Sequence, residues 1–184
     1  LDPELIPSDV RDSLLAGSGT AIIWENIDYV QNAFSDSSDL SRDILSSLQI
    51  TSDHLSLVFH RFLDGSYHQQ LSIELNEHPL DPWDPFALET ESTEVVFEHE
   101  IETRVSSPIA IAGYVLPSER EFSSKEAFKR AAMIKGWNDS QGFYVYRNGR
   151  LINHGGWYSL RKRDEHIKLA RVKLDITDEH DEIF

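Results

Sequence analysis

Cysteine is absent from the 184 residues, which excludes a disulfide scaffold, a zinc ribbon and a cysteine nucleophile. Long apolar runs are absent too: none approaches the ~20 residues needed to span a bilayer, so no membrane segment is expected. The opening Leu1-Asp2-Pro3-Glu4 lacks the basic-then-apolar pattern of a secretory leader, which fits a soluble, cytoplasmic protein. A start without Met and a finish at Asp181-Glu182-Ile183-Phe184 are expected of a piece of something longer. Positive charge is scarce, with 17 Lys and Arg against 32 Asp and Glu. Several catalytic signatures are missing: no Gly-x-x-x-x-Gly-Lys-Ser/Thr loop, no Gly-x-Gly-x-x-Gly, no His-Glu-x-x-His and no Gly-x-Ser-x-Gly.

What is present is enough for a core. Hydrophobic residues make up 40 % of the chain, and 9 Phe, 6 Tyr and 4 Trp rule out a wholly disordered protein. The length suits one ordinary domain, or a small domain with an appendage. Charge is unevenly distributed: residues 1–104 hold 4 basic and 21 acidic groups, whereas residues 120–173 hold 13 basic and 5 acidic. A basic stretch between acidic flanks either faces phosphates or neutralises the acidic half across the fold.

No internal repeat and no long low-complexity tract occur. Gly17-Ser18-Gly19-Thr20 feeding Ala21-Ile22-Ile23-Trp24 predicts a strand, and Ser35–Asp39 and Glu89–Thr93 read as loops. Leu40, Ile44, Leu45 and Leu48 form one helical face, and Leu55, Val58, Phe59, Phe62 and Leu63 another. These give two short helices or one broken near Ile50, with Thr51 or Ser52 as the second N-cap and Gly65 as the stop. Leu71, Ile73 and Leu75 alternate as a half-buried strand, and the three prolines of His78–Phe86 exclude regular structure there. Val95–Phe97 with Ile101, and Ile109–Leu116, predict two further strands. Ser123-Ser124-Lys125-Glu126 fits a capping box for a helix through Phe128, Ala131, Ala132 and Ile134, ending at Gly136. Phe143–Tyr146, the Asn148-Gly149 turn and Leu151-Ile152 read as a hairpin, and Leu169 to Ile176 as the last strand. Strands and helices mix without regular βαβ alternation, which predicts an α+β fold of irregular α/β layers.

The histidines offer a metal or general-base reading. His154, Asp164 and His166, with distant carboxylates, are the candidates for a metal-dependent hydrolase, against a plain solvated surface and a structural turn at Gly155-Gly156. Arg161-Lys162-Arg163, with Lys168, Arg171 and Lys173 nearby, is the candidate for phosphate contacts, and Tyr144, Tyr146, Trp157 and Tyr158 for stacking, unless the alternate aromatics belong to a core strand.

Several segments, in this order, resemble one family. Ser18-Gly19-Thr20-Ala21-Ile22-Ile23-Trp24 resembles the Gly-Thr strand that closes the nucleotide-binding domain of the gyrase, heat-shock chaperone, histidine kinase and MutL (GHKL) ATPases. Gln141 to Ile152, with its aromatic strand before Asn148-Gly149-Arg150, looks like the strand–turn–strand of their transducer domain. Gly155-Gly156-Trp157 and Asp164-Glu165-His166 through Asp175-Ile176 are similar to bacterial MutL-like and MORC-like relatives, and Leu71–Phe86 suits the transducer's opening hairpin.

The resemblance covers most of residues 18–184. It implies the last strand and tail of a nucleotide-binding domain over 1–38, then a transducer domain over 39–184, truncated at its C-terminus. That domain is ribosomal-protein-like, with a mixed sheet and helices on one face. It also implies that Gly19 and Thr20 lie near nucleotide, and that Arg147, Asn148 and Arg150 are coupling or phosphate-contact candidates. ATP and Mg would belong to the intact parent and not to this chain alone. The metal-binding Asn and its acidic neighbour, the Asp-x-Gly-x-Gly site and the glycine-rich lid do not occur here, so they are expected before Leu1. The lysine that senses the γ-phosphate is expected beyond Phe184, because Lys135, Lys162 and Lys168 do not match its motif. By this reading the chain has no catalytic residue of its own. It relays an ATP-driven change to an effector or dimer partner; its partners are the missing N-terminal nucleotide-binding domain and a possible homodimer. The alternative is a protein- or nucleic-acid-binding module that uses the basic 120–173 stretch.

Overall fold

A computed structural model describes residues 6–24 and 37–182. The chain forms two compact units, Leu1–Ser46 and Ser47–Phe184, and the division falls inside a helix.

In the first unit, helix α1 (Ser8–Ala16) follows Pro7, whose carbonyl accepts from Arg11 N–H at 3.0 Å. The sequence analysis predicts no helix there; its large apolar residues are Val10, Leu14 and Leu15, and Leu15 is 79 % exposed. Residues 19–24 form no strand, contrary to expectation; Ile22 and Trp24 are about four-fifths exposed, at 79 % and 80 %. β-Branched side chains favour a strand only where a ladder partner satisfies the backbone, and this segment has none among the described residues.

Helix α2 (Ser37–Val58) is continuous, so neither the break near Ile50 nor an N-cap at Thr51 or Ser52 occurs. Thr51 Oγ1 instead donates to Ser47 O at 2.8 Å, which lets a hydroxyl sit inside the helix. Ser37–Asp39 are helical, not a loop, in keeping with the preference of Ser and Asp for a first turn, while Ser35 and Asp36 lie outside the described residues. The interruption comes at Phe59, before the single turn α3 (His60–Leu63), and Gly65 follows its C-cap as expected.

Only Glu74–Leu75 (β1) of the expected Leu71–Leu75 strand is paired, with His78–Pro79 (β2). The main sheet holds β3 (Glu94–Ile101), β4 (Ile109–Val115), β5 (Gly142–Arg147), β6 (Arg150–His154) and β7 (Ala170–Ile176), in the order β3-β4-β7-β5-β6. All neighbours are antiparallel except β5 and β7, so the sheet is mixed and the fold is α+β, as expected. Helix α4 (Lys125–Ala131) is capped by Ser124, whose hydroxyl accepts from Ala127 N–H at 3.0 Å, and it ends before Ile134 and Gly136. The reciprocal capping box lies one turn earlier, between Ser118 and Glu121, at a short 3₁₀ turn. Asn148 (φ 47°) and Gly149 (φ 77°) both take left-handed backbone, the geometry of the predicted tight hairpin turn.

One face of the sheet, built by Ala112, Tyr114, Tyr144, Tyr146 and Leu151, packs against Leu57, Trp83, Phe86 and Met133. The opposite face carries Ile109, Ile111, Phe143, Val145, Val172, Leu174 and Ile176, all half-buried.

Candidate functional site

Strand β7 alternates strictly between apolar and charged residues, and its charged side is the one turned under the helices. Register sets Arg171 beside Gly142 and Tyr114, Lys173 beside Tyr144 and Ala112, and Asp175 beside Tyr146 and Ala110. Arg171 is fully buried. Its guanidinium donates to Pro85 O and, at 2.5 Å, to Ala131 O, and it lies 5.4 Å from the Tyr144 ring and 5.6 Å from the Trp137 ring. Two carbonyls, from the proline-rich loop and from the end of α4, therefore converge on one cation. Burial lowers the pKa of Arg171, partly offset by Tyr144 and Asp84. This residue belongs to the core, not to the phosphate-facing run in which the sequence suggested it.

Four residues along β7 from Arg171 and on the same side, Asp175 accepts two parallel bonds of 2.5 and 2.9 Å from Arg61, whose guanidinium stacks 3.8 Å above the Tyr146 ring. Burial opposes the Arg61 charge, but the Asp175 bonds and charge outweigh it and raise its pKa. His60 donates from Nδ1 to Leu57 O at 2.9 Å, which leaves Nε2 to accept from the Tyr146 hydroxyl at 3.5 Å. Burial lowers the His60 pKa and holds that of Tyr146 well above its ordinary value. A cleft of about 910 Å³ opens here, lined by His60, Arg61, Trp83, Asp84, Arg130 and Lys173 among others. The Asp84 carboxylate is already occupied by the Phe86 and Leu88 N–H groups, at 2.9 and 2.7 Å.

Two of the three coupling candidates, Arg147 and Asn148, meet the closing 3₁₀ turn, Asp178–Glu182. Arg147 donates to Asp181 from Nε at 2.8 Å and from Nη2. These bonds raise the Arg147 pKa and lower that of Asp181. Asn148 donates from its backbone to Ile176 O at 2.9 Å and from Nδ2 to Asp178 at 3.4 Å. Glu179 accepts from Ser107 N–H at 3.1 Å, and His180, fully buried, accepts at Nδ1 from Thr177 N–H at 3.0 Å. Arg150 stands apart, with its guanidinium 5.6 Å from the Phe59 ring. Gly19 and Thr20 are exposed and irregular within the first unit.

Gln141, which opens the aromatic strand motif, is fully buried and is a hydrogen-bonding hub. Its Oε1 accepts from Trp157 Nε1 (2.9 Å) and Asp164 N–H (3.1 Å), and its Nε2 donates to Asn138 O (2.9 Å) and Asp164 O (3.2 Å). Asp164 spends its side chain capping His166 N–H at 2.9 Å. Burial, with Lys135, His54 and Arg171 nearby, pushes His154 down to about 4. Among the described residues no three His, Asp or Glu side chains converge to hold a metal ion, and no helix is long and apolar enough to cross a membrane.

Arg61 lies in no motif, and Gln141 and Asp175 lie in matched segments that assign them no contact. Their roles come from contacts between residues far apart in sequence. Comparison with protein-family models, with curated proteins and with solved structures finds no match to this chain.

Proposed function

We propose that this chain is the transducer portion of a GHKL-type, MutL- or MORC-like ATP-binding protein in the cytoplasm. It relays an ATP-driven rearrangement to an effector or dimer partner and is not catalytic alone. The observation that carries the reading is the clasp between the β5–β6 turn and the closing turn. Arg147 and Asn148, two of the three residues suggested by the resemblance, both engage Asp178–Glu182, whereas Arg150 lies over Phe59. A displacement of the chain that follows β7 is thereby transmitted to the hairpin, and through β5 to the Arg171 and Arg61 latches on the helices. Such a device needs two states that a ligand distinguishes energetically; ATP and Mg in the missing N-terminal nucleotide-binding domain supply that difference. Gly19 and Thr20 contact the nucleotide only in that larger assembly.

The test is ATP turnover and ATP-induced thermal stabilisation, measured on this chain and on a longer chain that includes the nucleotide domain. The reading expects silence here and ATP dependence there. Turnover by these 184 residues alone overturns it.

A further inference from the structure

We propose that the loop Tyr158–Arg163 is a nucleic-acid contact, in which Arg161 and Lys162 hold phosphates and Leu160 is an apolar wedge. This goes beyond the transducer reading and does not depend on it.

The loop is fixed at its base and bare at its tip. Gln141 binds Trp157 on one side and Asp164 on the other, so the two ends are clamped to one buried side chain. Leu160 N–H closes onto Trp157 O at 2.9 Å, and Tyr158 (φ 47°) and Ser159 (φ 64°) hold left-handed backbone that side-chain-bearing residues seldom adopt. The clamped base, the Leu160–Trp157 bond and the two left-handed residues together define the shape of the tip.

What it presents is specific. Leu160 is 79 % exposed and Tyr158 is 54 % exposed, though its ring still leans on Phe143. Arg161 and Lys162 are exposed and, among the described residues, have no acidic partner, whereas Arg163 pairs with Asp139 at 3.2 Å. A single apolar side chain followed by free cations is the pattern of minor-groove wedges, where the apolar group parts a base step and Arg or Lys holds the backbone. An anionic membrane is the poorer fit. One leucine buries little apolar area, and a flat surface brings the many carboxylates of this chain, with its net charge of −15, against the lipid.

The test is fluorescence anisotropy of a labelled duplex with the full chain at increasing salt. Two phosphate contacts give a log–log slope of about −1.8, so affinity should fall about 12-fold between about 50 and 200 mM salt. Arg161→Ala/Lys162→Ala should abolish the binding while leaving the melting temperature unchanged. Leu160→Ser should weaken it without changing the slope. Asp139→Asn, by freeing Arg163, should steepen the slope by about 0.9. The proposal is overturned by no binding at the lowest salt, by wild-type affinity in the double variant, or by anionic vesicles binding where the duplex cannot compete.

Discussion

Arg61 and Asp175 form a two-bond ion pair roofing the Tyr146 ring, with the side chains only 16 % and 28 % exposed. The pair ties the turn after α2 to the last strand of the sheet. At that burial the cost of breaking the pair exceeds the worth of having it, because a stranded guanidinium keeps its desolvation penalty and loses its partner. Asp175→Asn should therefore destabilise the fold by about 2–3 kcal/mol. The double replacement Arg61→Met/Asp175→Leu, which fills similar volume without charge, should lie within about 1 kcal/mol of wild type. Urea unfolding of the three proteins decides this; a single variant as stable as wild type would show the pair to be a surface ornament.

Acid should weaken the fold through a buried imidazole, His60, and a half-buried one, His154. His60 and His154 both have folded pKa values below the ordinary 6.5, the latter at about 4, chiefly from burial. Well above 6.5 both states are unprotonated and these two histidines contribute no pH dependence. As pH falls below 6.5 the unfolded chain takes up protons that the folded chain refuses, so stability drops toward about 4 and then levels for His154. His154→Gln should flatten the slope of urea midpoint against pH across that window. An unchanged slope would mean that the imidazole is solvated in the folded state.

Gly142 sits where no side chain fits. At φ +110°, a Cβ there would lie 2.2 Å from Gly156 O, in the bridge that brings the loop base against β5. Because the obstacle is backbone and not a movable side chain, Gly142→Ala should cost about 2–4 kcal/mol. A melting temperature within a degree or two of wild type would show that the bridge can open without consequence.

The strands of the main sheet were legible because each is an apolar or alternating run bounded by turn residues, and Asn148-Gly149 fixes its own geometry. The facing of β7 was not. Arg171, Lys173 and Asp175 alternate with Val172, Leu174 and Ile176, and periodicity says that two faces differ without saying which is covered. The charged side lies inward because carbonyls, a carboxylate and aromatic rings from distant segments meet it there. Likewise the continuity of α2 through Ser46–Ser52 was hidden by residues that commonly punctuate helices, and β1–β2 by the prolines beside them. The segment 19–24 failed in the opposite way: its local preference for strand is clear, but a strand is a property of a pair.

The clasp can be tested without knowing the partner. Arg147 and Asp181 are both well exposed, so Arg147→Ala should leave the global unfolding transition in place while loosening the turn that Asp181 anchors. The readout is amide hydrogen exchange. His180 N–H, bonded to Thr177 O at 3.1 Å, should exchange about tenfold faster or more in the variant, while the β5 and β7 amides keep their protection. High salt should reproduce part of the effect in the wild type, because at about 1 M the screening length falls to about 3 Å. On the proposed transducer reading, the same variant placed in a longer, ATP-binding chain should lower the response of the partner to ATP more than it lowers basal turnover. That split separates a relay from a structural contact: a merely structural Arg147 would reduce both in proportion, and an uninvolved one would change neither exchange nor response.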